Sequence, residues 1–158
     1  MPKIIIIMGV SGCGKSTVGK LLGNKLGLPF FDGDDFHPEE NIQKMSNGIP
    51  LSDQDRKPWL LKMHREMEDW ENGAILACSA LKESYRKILS KDRNIQWVYL
   101  KGKPETILKR MKSRNHYMKP EMLQSQLDTL EEPSYGLHLS IENLPEILVS
   151  EIITKLDS

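Results

Sequence analysis

The start of the chain constrains the fold more than any other stretch. Residues 3–17, KIIIIMGVSGCGKST, combine an apolar run with a glycine-rich segment that follows it directly. An apolar run without polar alternation is typical of a strand that is buried on both faces of a parallel sheet. The run is far shorter than the ~20 residues that a membrane-spanning helix needs, so we expect no membrane span here. A strand, a glycine-rich turn and a helix in this order predict an α/β protein with a parallel sheet.

Further short apolar runs alternate with segments of helical period, so helices can supply the crossovers between parallel strands. Gly27 follows the first helical segment and predicts its end. A second helix is predicted to begin near Pro58 and to end at Gly73, with a Met and Trp face that is typical of core packing. The predicted strands are residues 3–8, 28–31, 74–78, 95–100 and 137–141. The apolar face of the first helix is Val18, Leu21, Leu22 and Leu26, and that of the second is Trp59, Met63, Met67 and Trp70. Further helices are expected from Pro104, Pro120 and Pro145, since proline fits a first helical turn.

Composition limits the size, the partners and the compartment of the protein. The 158 residues, of 18.1 kDa, fit one compact domain, which we take to span residues 1–158. The 22 basic residues balance 22 acidic ones, so net charge does not predict nucleic-acid binding. Two cysteines, Cys13 and Cys78, in a chain without a signal-peptide pattern predict a reducing compartment, and we expect a cytoplasmic protein.

Residues 9–16 match the pattern G-x-x-x-x-G-K-[ST] of a phosphate-binding loop (P-loop) and lie between the predicted strand and helix, as this pattern requires. Backbone N–H groups of such a loop and of the helix N-terminus surround nucleotide phosphates. Lys15 is expected to reach the β- and γ-phosphates of ATP, and the Ser16 hydroxyl to bind Mg²⁺. The residues predicted to bind the nucleotide are Gly9, Ser11, Gly12, Cys13, Gly14, Lys15, Ser16 and Thr17.

An acidic segment, FFDGDDFHPEE, includes the end of the second predicted strand. Ligands of open parallel sheets bind beyond the carboxyl ends of the strands, so Asp32 and Asp34 are expected to face the P-loop across a crevice. The chain has neither the N-K-x-D nor the D-x-x-G motif of regulatory GTPases, and no later predicted strand ends in the Asp of a Walker B site. A solvated acidic turn before a helix is the alternative interpretation of this segment.

Four stretches resemble the gluconokinases, which are P-loop kinases that phosphorylate D-gluconate. They are GVSGCGKST, DGDDFHPEENIQKMSNGIPLSDQDRKPWL, CSALKESYR and RMKSRNHYMKPEMLQSQLDTLEEP, all within residues 4–133. The resemblance implies an α/β, nucleoside-monophosphate-kinase-like three-layer fold with a five-stranded parallel sheet, a substrate-binding helical insertion at about residues 36–72 and a lid at about residues 112–119. It also implies ATP and Mg²⁺ as cofactors, D-gluconate as the small-molecule substrate, and a homodimer.

The site roles follow from this resemblance and from position. Asp34 is expected to orient the acceptor hydroxyl and to take its proton, and Asp32 to help hold Mg²⁺ through water. The two arginines at positions 110 and 114 lie one helical turn apart and are expected to face the phosphates from the lid, although a solvated basic helix end would have the same pattern. The predicted catalytic residues are Lys15, Asp34, Arg110 and Arg114, and Arg110 is also predicted to bind the nucleotide. The residues predicted to bind D-gluconate are Asp34, His37, Arg56, Ser79 and Lys82. Of these, Arg56 and Lys82 are candidates for binding the substrate carboxylate.

Other functions remain open from the sequence. A similar Asp arrangement after strand two occurs in adenylylsulfate kinases and shikimate kinases, but DFHPEEN and CSALK differ from the arginine-bearing and glycine-rich segments of those families. A non-catalytic nucleotide-binding module would tolerate loss of the acids and of the lid arginines, which this chain keeps. Cys13 stands where gluconokinases commonly have Ser, so its backbone is expected to meet phosphate and its thiol to be either inert or redox-sensitive.

Overall fold

The structure, a computed structural model, describes residues 4–113 and 120–156. Within these ranges the strands form one parallel, five-stranded sheet in the order β2-β3-β1-β4-β5. Every residue of β1 and of β3 is buried, so both faces of the sheet are covered at its centre, as the apolar run predicts. The strands are β1 (Ile4–Met8), β2 (Phe30–Asp32), β3 (Ala74–Ala77), β4 (Ile95–Lys101) and β5 (Leu137–Ser140).

Helices connect the strands and complete a three-layer α/β fold. The described helices are α1 (Lys15–Leu26), α2 (Glu39–Ser46), α3 (Asp53–Glu66), α4 (Glu83–Ser90), α5 (Pro104–Ser113), α6 (Pro120–Thr129) and α7 (Pro145–Leu156), with 3₁₀ turns at Gly33–Phe36 and Met67–Asp69. Helix α1 contacts α7 and β3, and α3 contacts α4. None of the helices in the described ranges combines the length and the apolarity that a membrane crossing requires.

Several predicted element boundaries are confirmed, and one strand is displaced. Helices α5, α6 and α7 begin at the predicted prolines, and Gly27 ends α1 in the left-handed conformation with φ 68°. Strand β2 was expected over residues 28–31 but begins at Phe30. The reason is that the Leu28 N–H donates to Gly23 O at 3.0 Å and so belongs to the cap of α1.

The predicted start of the second helix near Pro58 is wrong, because α3 begins at Asp53. Ser52 Oγ accepts the Asp55 N–H at 3.1 Å, and the Asp55 carboxylate accepts the Ser52 N–H at 2.9 Å, which together form a capping box. Pro58 lies inside the helix and removes one backbone hydrogen bond from it. The predicted end is also wrong, because a 3₁₀ turn follows α3 and Gly73 lies in the loop that leads to β3.

A buried arginine ties the loop after β3 to the segment after α6. Arg86 of α4 is 1% exposed, and its guanidinium donates to Ala80 O at 2.7 Å and to Glu131 O at 2.9 Å. Ala80 has a φ of 43°, a left-handed conformation that is unfavourable for a residue with a Cβ. The Arg86 guanidinium therefore stabilises a strained turn immediately after Ser79.

Candidate active site

One cleft lies at the carboxyl edge of the sheet. Elements that are far apart in sequence line it: the P-loop, the turn after β2, helices α2 and α3, the end of β3, and helices α5 and α6. This location follows the rule that ligands of open parallel sheets bind beyond the carboxyl ends of the strands. The lining residues are Ser11, Gly12, Gly14, Lys15, Ser16, Thr17, Asp32, Asp34, His37, Met45, Pro50, Leu51, Arg56, Trp59, Ala77, Cys78, Ser79, Arg110, Met111, Met122, Ser125 and Gln126.

The P-loop joins β1 to α1 with a backbone that favours glycine. Gly14 caps α1 with a φ of 95°, and Gly12 has a φ of 82°. A Cβ at Gly12 would lie 2.8 Å from Met111 Cγ, so a side chain there would push α5 away from the loop. The N–H groups of the first turn of α1 have no intrahelical partner, and residues 15–17 line the cleft. The loop therefore offers backbone donors to an anion, as the motif predicts.

Lys15 contacts its own loop. Its Nζ donates to Gly9 O and to Val10 O, at 3.0 Å in each case. The ammonium is thus held beside the loop, and it must exchange carbonyl oxygens for phosphate oxygens when a nucleotide binds. The structure brings Lys15 into the cleft, where the sequence predicted it.

Ser16 and Asp32 meet at the boundary between the P-loop and the turn after β2. Ser16 Oγ donates to Asp32 Oδ2 at 3.1 Å, and Asp32 Oδ1 accepts the Asp34 N–H at 3.0 Å. A hydroxyl and a carboxylate are oxygen ligands of the kind that Mg²⁺ prefers. Within the described ranges no group of three His, Cys, Asp or Glu side chains could hold a metal. One hydroxyl and one carboxylate fit an ion that keeps water and phosphate as its other ligands.

Two of the predicted nucleotide-binding residues, Gly9 and Cys13, are not among the residues that line the cleft. Cys13 is 2% exposed, and its N–H donates to Val10 O at 3.4 Å. Both cysteines are free and buried, and burial raises the pKa of the Cys78 thiol to about 12. The burial of the Cys13 thiol supports an inert rather than a redox-sensitive residue, since reactive cysteines are partly exposed.

The opposite wall of the cleft contains a buried guanidinium, that of Arg56 on α3. Arg56 is 8% exposed, and its Nη1 donates to Tyr85 Oη at 3.0 Å. The Tyr85 hydroxyl donates in turn to Asp53 Oδ1, which also accepts from Lys82 Nζ at 3.0 Å. A chain of hydrogen bonds therefore leads from Arg56 in the cleft to an ion pair at the surface.

The hydrogen bonds of this network shift the pKa values of the groups that form it. The hydrogen bond from Tyr85, and then that from Lys82, lower the pKa of Asp53, while the hydrogen bond to Asp53 raises the pKa of Lys82. Burial raises the pKa of the Tyr85 phenol. Lys82 is thus bound to Asp53 and is not among the residues that line the cleft, so its predicted contact with the substrate carboxylate needs correction. The sequence pattern missed this because the partner of Lys82 lies 29 residues away.

His37 forms a flat surface in the cleft together with Trp59. The two rings stack with their centroids 4.1 Å apart and 14° between their planes, and Trp59 Nε1 donates to Gly33 O at 2.7 Å. His37 Nδ1 lies 3.1 Å from Asn41 Nδ2. Burial, and then the charge of Arg56, lower the pKa of His37 to about 4, so the imidazole is neutral at pH 7.

Helix α5 brings one of the two predicted lid arginines to the cleft. Arg110 lines the cleft, and its Nη2 donates to Ile141 O at 2.5 Å. Arg114 lies outside the described residues, as does most of the predicted lid at 112–119. Ser79 also lines the cleft, and its carbonyl accepts the Gly9 N–H at 3.4 Å. The described part of the chain thus brings Arg110 and Ser79 to the cleft with the P-loop.

Gln126 of α6 is a cleft residue that the sequence did not predict. Its Oε1 accepts the Ser11 N–H at 2.8 Å, and its Nε2 donates to Ser11 Oγ at 3.1 Å. The contact joins the P-loop to a helix 115 residues later, and no local pattern signals it. Trp59 was predicted only as a core residue, and it is both buried and part of the cleft wall.

Comparisons with known proteins identify the family. Residues 11–143 match the family model described as shikimate kinase. A probable gluconokinase of Rattus norvegicus is 44% identical over 92% of this chain and 94% of its own length, and a gluconokinase of Gluconobacter oxydans is 41% identical over 96% and 90%. The crystal structure of a gluconokinase from Sinorhizobium meliloti superposes with a TM-score of 0.92 and 40% identity over 99% of this chain and 92% of that one. The chain therefore belongs to the gluconokinase family, within the wider group of P-loop kinases that the shikimate kinase model describes.

Proposed function

We propose that this protein catalyses the ATP-dependent phosphorylation of D-gluconate, which yields ADP and 6-phospho-D-gluconate. The observation that carries the proposal is the composition of the cleft, with the P-loop on one wall and the buried Arg56 guanidinium beside the neutral His37 imidazole on the other. The first wall suits the phosphates of ATP, and the second suits a carboxylate followed by hydroxyls. The names of the relatives point to the same reaction.

On the nucleotide wall, backbone N–H groups of the P-loop and of α1 bind the β- and γ-phosphates of ATP. Lys15 exchanges its contacts with the Gly9 and Val10 carbonyls for phosphate oxygens, and its charge follows the γ-phosphoryl group during transfer. Ser16 directly and Asp32 through water would hold Mg²⁺, which offsets phosphate charge when it is bound.

On the acceptor wall, Arg56 binds the carboxylate of D-gluconate, and His37 and Ser79 bind hydroxyls. These contacts align the terminal hydroxyl with Asp34. Asp34 accepts the hydroxyl proton as the oxygen bonds to the γ-phosphorus, and the bond from that phosphorus to the ADP oxygen breaks. Alignment supplies much of the rate enhancement, because phosphoryl transfer needs little covalent chemistry from the protein.

The lid side adds positive charge to the γ-phosphate. Arg110 has this role, and we extend it to Arg114, four residues further along the sequence. Residues of about 36–72 act as the substrate-binding insertion and those of about 112–119 as a lid that closes over the phosphates, within a single domain of residues 1–158. Lys82 acts indirectly, since its ion pair with Asp53 supports the hydroxyl that accepts from Arg56.

A coupled ADP-release assay over three acceptors tests the reaction. The purified protein, with ATP and Mg²⁺, is given D-gluconate, shikimate or adenylylsulfate, and mass spectrometry identifies the product. We expect ADP and 6-phosphogluconate, with D-gluconate as the productive acceptor. Shikimate is included because the matching family model carries that name. Sorbitol, which keeps a row of hydroxyls but lacks the carboxylate, is the matched control for Arg56 and is expected to react poorly.

Each alternative has its own outcome in this assay. Phosphorylation of shikimate or adenylylsulfate without phosphorylation of D-gluconate would overturn the proposed acceptor. Nucleotide binding without turnover of any acceptor would favour a non-catalytic nucleotide-binding module.

We also propose that the enzyme is cytoplasmic and homodimeric. The free, buried thiols of Cys13 and Cys78 fit a reducing compartment. The family resemblance favours two chains in the assembly. Size-exclusion chromatography with light scattering tests the assembly, and the mass of a single chain, 18.1 kDa, would contradict a dimer.

A further inference from the structure

We infer that Asn41 is a positioning residue of the acceptor site, which holds the His37 imidazole in the neutral tautomer protonated at Nε2, so that His37 donates a hydrogen bond to an oxygen of the acceptor. The identity of that oxygen as one of D-gluconate rests on the proposed function. The tautomer itself rests on the geometry around Asn41.

The orientation of the Asn41 amide is fixed by a backbone carbonyl. Asn41 Nδ2 lies 2.9 Å from Asp55 O, and a carbonyl oxygen can only accept, so the nitrogen of the amide must face it. The same nitrogen lies 3.1 Å from His37 Nδ1. An amide NH₂ group has two hydrogens and no acceptor, so one hydrogen points to Asp55 O and the other to the imidazole. Asn41 is 2% exposed, which leaves little room for water to replace either contact.

The contact with Asn41 decides where the proton of His37 lies. Because Nδ1 faces a donor, it must present its lone pair, and the single proton of the neutral ring is then on Nε2. A proton on Nδ1 would bring two N–H groups together. Burial, and then the positive charge of Arg56 on α3, lower the pKa of His37, so they too disfavour the imidazolium. The Asp55 carboxylate is held by Lys44 Nζ at 2.8 Å and by the Ser52 N–H at 2.9 Å.

The ring is held in a fixed plane, so its free N–H has a defined direction. Trp59 stacks on the imidazole, and its own N–H is bound to Gly33 O. His37 lines the cleft, and no described residue forms a hydrogen bond with its Nε2. A ligand oxygen in the cleft, of a hydroxyl or a carboxylate, is therefore the fitting partner for the Nε2–H group.

The first test measures the tautomer directly on the ligand-free wild-type protein. Long-range ¹⁵N–¹H correlation spectra distinguish Nδ1–H, Nε2–H and imidazolium forms, and the His37→Gln variant identifies the His37 signals by their loss. We expect a neutral ring protonated at Nε2 from pH 8 down to pH values below the ordinary 6.5 of histidine. An Nδ1–H tautomer or an imidazolium at pH 7 would overturn the inference. This readout does not depend on the acceptor, so its failure is distinguishable from failure of the proposed reaction.

The second test uses two amides as substitutes for the two ring nitrogens. The longer Gln side chain brings an NH₂ group near the position of Nε2, whereas the shorter Asn side chain brings it near that of Nδ1. We expect the KM for D-gluconate to rise in both variants, about threefold in His37→Gln and about tenfold in His37→Asn, with the KM for ATP unchanged in both. Equal effects of the two variants on the KM for D-gluconate would contradict a donor at Nε2.

The third test changes the partner of the ring. In Asn41→Asp a carboxylate faces Nδ1, which favours a proton there and raises the pKa of His37. We expect the spectra of this variant to gain an Nδ1–H signal, and its KM for D-gluconate to depend on pH between 6 and 8, whereas that of the wild type does not. Asn47→Asp makes the same chemical change at the exposed C-terminal end of α2 and should leave both properties unaltered. If Asn41→Asp does not fold, the wild-type spectra and the His37 pair still decide the question.

Discussion

The two walls of the cleft are held together in different ways. The contacts that hold the Lys15 ammonium are local, since it bonds to carbonyls five and six residues away, although Ser11 of the same loop also bonds to Gln126. The acceptor wall is held by side chains that are distant in sequence, since Arg56 bonds to Tyr85 29 residues later and Trp59 to a carbonyl 26 residues earlier. The position of Lys15 therefore depends on one short segment, whereas the acceptor wall depends on the packing of α3 against α4 and against the 3₁₀ turn after β2. Substitutions in the two walls should have separable effects, on kcat and on the KM for D-gluconate.

The largest effect is expected when the nucleotide wall loses the charge of Lys15. Lys15→Met keeps an unbranched side chain of similar length but removes the charge that follows the γ-phosphoryl group. We expect kcat to fall at least about a hundredfold, which corresponds to roughly 2.7 kcal/mol of transition-state stabilisation. Steady-state kinetics measures the loss, and circular dichroism checks the fold. Near-normal turnover in a folded variant would contradict the role of Lys15.

The second effect lies where the two walls meet. Asp34→Asn keeps the shape of the side chain but removes its basicity, and we expect kcat to fall about a hundredfold with ATP binding nearly unchanged. Asp32→Asn, two residues earlier, is the matched variant and should mainly raise the Mg²⁺ concentration required for activity. Isothermal titration with a nucleotide and kinetics over Mg²⁺ concentration measure the two effects. Wild-type kcat and KM in Asp34→Asn would exclude this residue as the base.

A third effect tests whether the lid side acts on the transition state. Arg110→Ala removes a positive charge from the cleft, and we expect kcat to fall about tenfold while the KM for D-gluconate changes little. Lys109→Ala removes the same charge from the neighbouring exposed position on α5 and should leave kcat near its wild-type value. Equal losses in both variants would mean that the net charge of α5 matters, rather than the contact of Arg110 with the cleft.

A smaller effect is expected when the acceptor wall loses the hydrogen bond between Arg56 and Tyr85. Tyr85→Phe removes the hydroxyl that accepts from Arg56 and donates to Asp53. We expect the KM for D-gluconate to rise about fivefold with kcat unchanged, since one hydrogen bond is worth about 1 kcal/mol. Tyr99→Phe, on β4 and away from the cleft, is the matched control. A fall in kcat without a change in KM would place Tyr85 outside the acceptor wall.

The smallest effect concerns the capping box that positions α3. Hydrogen bonds from Lys44 and from the Ser52 N–H lower the pKa of Asp55 to about 2, below its ordinary value of 3.8. The ionised Asp55 therefore contributes stability above about pH 4, and this contribution is lost as the pH falls towards 2. We expect the Tm difference between wild type and Asp55→Asn to be full at pH 6 and to vanish near pH 2. A constant difference over this range would contradict the assignment, and Asp69→Asn, at an exposed position, is the control.

The P-loop was predictable because its function resides in a contiguous pattern. Spacing alone located Lys15 and Ser16, and the structure brings both into the cleft. The apolar runs of the strands and the helix starts at Pro104, Pro120 and Pro145 were equally local signals. The start of α3 also has a local signal, because the capping box of Ser52 and Asp55 marks the first turn of the helix and Pro58 does not.

The acceptor wall was only partly predictable, because its hydrogen bonds join residues whose proximity depends on the tertiary fold. Arg56 was predicted as a charged ligand residue, and the structure adds that it is buried and bound to Tyr85. Lys82 has the same charge and also lies in one of the stretches that resemble gluconokinases, yet it pairs with Asp53 at the surface. Sequence spacing does not distinguish these two cations, because their difference arises from the tertiary fold, which buries Arg56 and leaves Lys82 at the surface. The same reason explains why Asn41 and Gln126 were not predicted.

Arg86 imposes an order on the assembly of the site during synthesis. The P-loop and α1 leave the ribosome early, and the contacts of Lys15 and Ser16 need only residues up to Asp32. The turn at Ala80 is held by Arg86, whose guanidinium also binds Glu131 O, and the Glu131 N–H donates back to Leu81 O at 2.8 Å. These last bonds cannot form until residue 131 has emerged. In the nascent chain, the Lys15 and Ser16 contacts can therefore form before the loop after β3 is fully anchored, and a chain interrupted before residue 131 would lack that anchor.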